Sequence, residues 1–357
     1  MATGHEQQEP LHSPHERALI HRTLLIIGIA VSVVVALVLL WYLIDVLLLA
    51  FASVLLAILI RAPTDWLSRH TSLSSGWALA LVILILFALI GTIAVFFGQA
   101  AANQLAQLFR KFPELIEGVS ARLAQYEWGQ LLVQQMRPRQ LLEQGPDFLG
   151  KGITVISTTF GLIANFVIVL FIAVYLAAQP RLYIDGLVRL FPLHRRQRAR
   201  ETLEAIGQIL RWWLIGQLFL MAVIGTATGI GLWLLGVPLW LALALLAGLL
   251  EFVPYIGPIL AAVPAVLVAL GQDATLAGYV LLLYVGIQSL EGYLLTPLVQ
   301  RKAVYLPPAL LILAQVTLGI LIGGLGLLLA TPLSAAALVA VKMLYVQDVL
   351  GDTQAAE

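Results

Sequence analysis

The feature that most constrains this chain is a series of apolar runs too long for any soluble core. A bilayer's hydrocarbon layer is about 30 Å thick and takes roughly 20 apolar residues as helix. Leu24–Ile44 is the first such run, followed across Asp45 by the shorter Val46–Ile60. Trp77–Phe97, Ile153–Ala178 and Trp213–Leu235 are three more. Main-chain groups in lipid must be satisfied within the chain, so these runs are predicted to fold as helices. The expected class is all-α, a polytopic helical membrane protein. Composition agrees: 61% of the 357 residues are hydrophobic and 11% are charged, against about a quarter charged in soluble domains. A formal charge of +1 offers no field to recruit nucleic acid. The absence of cysteine removes disulfides, thiolate metal sites and cysteine nucleophiles.

Asp45 predicts a tight helical hairpin whose turn sits at the far surface. The polar start, Met1–Thr23, lacks the layout of a cleaved secretory signal, so the first run is read as retained. Basic residues set the orientation. Arg17, Arg22, Arg61, Arg69, Arg301, Lys302, Lys342 and the arginine-rich stretch Gln179–Arg211 are all predicted to be cytoplasmic, which puts both termini inside. The resulting layout has a cytoplasmic tail (1–23), N-terminal membrane helices (24–97) and an extracytoplasmic amphipathic segment (98–152). The fourth span (153–178), a basic cytoplasmic helix (179–212), a core of broken helices (213–346) and a second cytoplasmic tail (347–357) follow.

Within 98–152, Leu105, Leu108, Phe112, Leu115 and Val119 recur at three- and four-residue steps. That is a helical stripe, open to two readings: a helix lying on its own bundle, or a short coiled coil between subunits. Residues 145–152 read GPDFLGKG, close to a phosphate-binding loop, but Gly152 replaces the hydroxyl residue that would hold magnesium. The match is taken as chance. In Phe191–Leu210, Leu203, Ile206 and Leu210 share a face behind Arg195, Arg196, Arg198 and Arg200. Arginines beside a membrane helix predict contact with anionic lipid headgroups.

After Gly236 the apolar sequence is interrupted. Leu239–Val253 spans only about 22 Å as helix, too short to cross. It then meets Glu251-Phe252-Val253-Pro254-Tyr255-Ile256-Gly257-Pro258, where two prolines and a glycine break the backbone. Ile259–Leu270 is again short, which predicts a re-entrant hairpin entering from outside. Ala274–Leu295 is a full span running inward. Pro307–Ile322, the glycines Gly323, Gly324 and Gly326, and Leu327–Val346 with Pro332 predict a second hairpin, entering from the cytoplasm. One long kinked crossing, or two tilted full helices, is the alternative for each pair. Paired broken segments of this kind are a sequence sign of a secondary transporter's central site.

Glu251 and Glu291 are the carboxylates embedded in this stretch; Asp273 falls in a loop. A carboxylate at membrane depth is costly unless paired, protonated or hydrated, so both are candidates for binding a coupling proton or sodium ion. Gln217, Gln288 and Gln315 are further polar groups for the path, or interhelical hydrogen-bonding groups. Gly225-xxx-Gly229 and Gly319-xxx-Gly323 would let helices approach closely. The six histidines, His5, His12, His15, His21, His70 and His194, all fall in tails or loops, so no metal or other cofactor is expected. No nucleophile–base grouping predicts an enzyme.

Several of these residues together resemble the autoinducer-2 exporter family of bacterial permeases. They are Phe252–Pro258 with Pro264, Leu290-Glu291-Gly292 continuing to Pro297, and Gly323–Pro332. Ile215-Gly216-Gln217, the Pro307-Pro308 pair and the basic Phe191–Leu210 helix complete the set. The likeness runs from about residue 20 to 348. It implies an inner-membrane protein of about eight membrane segments that exports small solutes on an ion gradient, as a homo-oligomer. Pro308 stands where the family's His-Pro pair is expected, so no histidine role carries over. The resulting expectation is a secondary active exporter of a small polar solute working by alternating access, with Pro254, Tyr255, Gly257 and Pro258 lining its path beside the two glutamates. A sodium–proton antiporter and a non-transporting membrane scaffold are the alternatives.

Overall fold

The computed structural model describes residues 14–123, 155–297 and 306–352. Among them every regular element is helical. The helices are α1 (Pro14–His70), α2 (Ser75–Leu123), α3 (Val155–Ala178), α4 (Pro180–Arg189), α5 (Arg196–Leu234), α6 (Trp240–Leu250), α7 (Ile256–Gln272), α8 (Ala274–Leu290), α9 (Pro308–Ile322) and α10 (Gly324–Val341). α8 continues as a π-helical turn, Glu291–Leu295, and α10 as another, Lys342–Gln347. Contacts divide the chain into residues 1–48 and 49–357. The described part of the first unit is the N-terminal stretch of α1, where Leu25, Ile26 and Ile29 are exposed. An apolar exterior of that kind suits lipid rather than water.

In the second unit, Ala57 and Ile60 of α1 bury against Leu79 and Val82 of α2 and Ala173 and Ala177 of α3. Arg61 Nη1 donates to the Ala177 carbonyl at 2.9 Å, satisfying an end group of α3. Arg211 donates to the Ala62 carbonyl at 3.2 Å and pairs with Asp65 at 3.5 Å, which fastens α5 to α1. The larger core joins α2, α6, α7 and α8 through Leu108, Leu243, Ala247, Ala261, Ala265, Val280 and Tyr284. Leu108 lies at the centre of the predicted stripe, and Leu115 packs on the same core. The stripe therefore faces α6 and α7 of its own chain. One turn earlier, Gln104 Oε1 accepts from the Leu241 and Ala242 amides at 3.1 and 3.2 Å, capping the free amides of α6.

Small residues set the approach of α5 to α6. A Cβ on Gly225 would lie 3.2 Å from Gly248 Cα, and one on Gly229 would lie 3.0 Å from the Ala244 side chain. The first predicted small-residue pair is thus a true contact seam. At the second, a Cβ on Gly319 would meet nothing closer than Leu327 at 3.7 Å.

Three expectations need correction. α1 is helical straight through Asp45, without the predicted hairpin: between Gly28 and Pro63 it has neither proline nor glycine, and Asp45 is exposed and compatible with helix. The third run and the stripe are one helix, α2, with Gly98 inside it. The basic helix and the fifth run are likewise one helix, α5, since nothing between Leu210 and Trp213 breaks it. Among the described residues, five helices are long and apolar enough to cross a membrane, or six if the bent pair α3–α4 is one span. α6, α7 and α9 fall below crossing length. The GPDFLGKG stretch, Arg301 and Lys302 lie outside the described residues.

Candidate functional site

The first predicted hairpin forms. α6 ends at Leu250, residues 251–255 turn, and α7 starts at Ile256 and packs back on α6. The turn demands unusual backbone. Tyr255 has φ of 66°, and the Gly257 amide donates back to the Val253 carbonyl at 2.9 Å. A Cβ on Gly257 would lie 1.8 Å from the Leu250 carbonyl oxygen, so only glycine fits there. Pro258 is buried behind it, Pro254 is half-buried, and the Tyr255 side chain is exposed.

Glu251 opens this turn and is 1% exposed. Gln217, buried in α5, donates its side-chain amide to the Glu251 carbonyl. The Glu251 carboxyl lies within hydrogen-bonding reach of the Glu291 carboxyl, and Glu291 is also within reach of Gln288. Glu291 begins the π-helical turn that ends α8. A π turn inserts a residue into the helical ladder and is frequent at functional sites. One oxygen of each carboxyl, Oε2 in both, is buried with no hydrogen-bond partner among the described residues. Orphaned buried carboxyl oxygens are costly, so the arrangement favours a bound proton or cation. The structure thus brings Glu251, Glu291, Gln217 and Gln288 to one place. Trp213 shields the turn from the α5 side, its ring edge-on to Phe252 at 5.5 Å.

The second break falls at a single residue. Gly323 has φ of 82°, α9 ends before it and α10 begins after it. Gly324 and Gly326 are helical, and Gly326 packs on its own hairpin, where a Cβ would lie 2.3 Å from the Leu318 carbonyl oxygen. A Cβ on Gly323 or Gly324 would meet nothing within 4 Å among the described residues. With its π turn, the second arm is 24 residues long, enough to cross alone, so the two hairpins differ in arm length.

Gln315, on α9, ties the hairpins together. It is fully buried, and its Nε2 donates to the Pro254 carbonyl at 3.0 Å and to Thr331 Oγ1 at 3.3 Å. Its Oε1 is buried without a partner among the described residues. Thr331 and Trp213 were not foreseen as site residues. The one sequence signal for Thr331 was its position directly before Pro332, within a helix that must accommodate a missing donor.

The four arginines read as lipid contacts separate. Arg198 donates to Asp348 at 3.0 Å, to Gln347 Oε1 at 2.7 Å and to the Met343 carbonyl at 3.0 Å. The Asp348 hydrogen bond pushes the Arg198 guanidinium's affinity for its proton above the usual arginine range. Arg200 pairs with Asp185, and Arg196 donates to the Phe191 and Arg189 carbonyls at 3.2 and 3.3 Å. Arg195 is exposed.

Comparison with known proteins places these observations in context. Residues 29–345 match the family model described as AI-2E family transporter. Similar curated proteins, all provisionally named as transport proteins, include YueF of Bacillus subtilis strain 168, 28% identical over 72% of this chain and 73% of its own length. MT0215 of Mycobacterium tuberculosis is 31% identical over 78% of each chain. A third, sll0060 of Synechocystis, is 24% identical over 84% of this chain and 86% of its own.

Proposed function

The chain belongs to the AI-2E transporter family and is a multi-pass membrane transporter, and from that premise we propose that it moves a small polar solute by ion-coupled alternating access. The observation that carries this reading is the meeting of Glu251, on the broken turn of the first hairpin, with Glu291, on the π turn of α8. A carboxylate only accepts hydrogen bonds, so a bond between two carboxyls needs one proton. Loss or exchange of that proton changes the charge beside the turn. Coupling requires such a difference, because an ion shifts a conformational equilibrium only through unequal affinity for its two states. Glu251 rides on the hairpin and Glu291 on a separate span, so occupancy of the pair links the two elements. Placement in the inner membrane, cytoplasmic termini and export as the direction of flux belong to the same proposal, as does assembly into a homo-oligomer.

The test is flux in proteoliposomes. Glu291→Gln keeps size and hydrogen bonding while removing the ionisable group. The expected result is a folded protein with no gradient-driven flux; full flux would remove Glu291 from the mechanism. A second reading, sodium–proton antiport, is favoured by the two orphaned carboxyl oxygens, since hard cations prefer oxygen donors. Sodium-dependent pH changes in everted vesicles without organic solute would select it.

A further inference from the structure

A second polar site lies away from the carboxyl pair, in the corner between α4 and α5. α4 leaves α3 at 88°. Its Tyr183 and Leu187 continue as an exposed apolar stripe into Leu190, while Val188 on the opposite side is buried. A short helix turned across its neighbour, with one apolar face free, is built to lie in the membrane interface. Beside it is a cleft of 330 Å³, lined by Arg189, Arg196, Arg200, Gln197, Asp185 and Val188. That is room for about ten water molecules.

Charge and donors in the cleft are unbalanced. Three arginines face one aspartate, for a formal +2, and Asp185 is already paired with Arg200. A guanidinium carries five N–H donors. Arg196 commits two of them to the Phe191 and Arg189 carbonyls, which fixes its plane and leaves the others toward the cleft. The Arg189 side chain has no hydrogen-bond partner among the described residues. The first turn of α5 carries no acidic residue and no side-chain cap, so the positive end of its dipole adds to the potential at the same place. Arginine forks match phosphate oxygens in geometry as well as charge.

We propose that this cleft binds a phosphate group, that of an anionic lipid headgroup presented at the interface where α4 lies. This narrows the expected lipid contact of the arginine run to one cleft. Arg198 is turned toward the C-terminal segment, and Arg189, outside the run, takes part instead.

The experiment uses the purified full chain in mixed phosphatidylcholine–phosphatidylglycerol micelles, with retained lipids counted by native mass spectrometry. Wild type is expected to retain phosphatidylglycerol in preference. Arg189→Gln should weaken that retention about tenfold, the size of one charge-assisted hydrogen bond, and Arg189→Lys should fall between. Arg195→Gln, outside the cleft, should match wild type, and unchanged melting curves would show that all variants are folded. Equal retention in wild type and Arg189→Gln, or equal losses in Arg189→Gln and Arg195→Gln, would overturn the site. Displacement of the lipid by excess inorganic phosphate alone would overturn the lipid assignment and point to a soluble phosphate ester.

Discussion

The side-chain amide of Gln315 donates to the main-chain carbonyl of Pro254 at 3.0 Å, across 61 residues of sequence. A residue of one hairpin thereby completes the interrupted backbone of the other. Three residues before Pro254, Gln217 does the same for the carbonyl of Glu251 from α5. The turn that holds the buried carboxyl is thus held at two main-chain points by amides of neighbouring helices.

Gln315→Ala should destabilise the protein by about 2 kcal/mol, from a lost buried hydrogen bond and the cavity left behind. Gln217→Ala should cost a similar amount. Because both amides support one turn, the double variant is expected to depart from additivity by more than about 0.5 kcal/mol. Denaturation of the four proteins in one detergent checks this, and strict additivity would show that the two supports act independently.

Gly257→Ala should abolish folding, because its methyl group would lie 1.8 Å from a main-chain oxygen. At Gly323 the space is open and only the positive φ opposes a side chain. Gly323→Ala is expected to cost about 1–3 kcal/mol. Yields of monodisperse protein from parallel purifications separate the two cases.

Glu251→Gln should leave the melting temperature equal to or above that of wild type, since an amide replaces an acid carrying an orphaned buried oxygen. Transport should be lost in the same protein. A large drop in melting temperature would show that the carboxyl chiefly holds the fold together.

Leu108→Ala should cost about 2–5 kcal/mol, because Leu108 is 2% exposed within the main core. Phe109→Ala, next to it but 51% exposed, should change stability by less than about 0.5 kcal/mol. Thermal melts of the two variants test whether the stripe on α2 serves its own chain.

Arg198→Ala frees Asp348, Gln347 and the Met343 carbonyl together. Its ion pairs are partly exposed, so global stability should fall by no more than about 1 kcal/mol. Amide exchange over residues 343–348 should nevertheless speed up, and mass-resolved hydrogen exchange would detect it.

What the sequence revealed follows from how local each feature is. The break at Pro254 was legible because two prolines and a glycine within five residues leave no helical alternative. The Gly225 seam was legible from spacing alone. Asp45 misled because a lone acid does not end a helix; in the absence of proline or glycine, helical hydrogen bonding continues past it. The convergence of Glu251 and Glu291 was legible only as two costly groups that needed partners, since their pairing depends on how α8 packs beside the turn. The Gln315–Pro254 link left no local trace, because either residue alone fits an ordinary helix or loop.

The glycine-only approach at residue 257 restricts how the first arm can travel. With the start of α7 seated on the last carbonyl of α6, the two half-length rods have no slack to slide or change register. Under the proposed cycle, an excursion of this arm would swing both as one lever, displacing the acid at its tip relative to the acid on the neighbouring span.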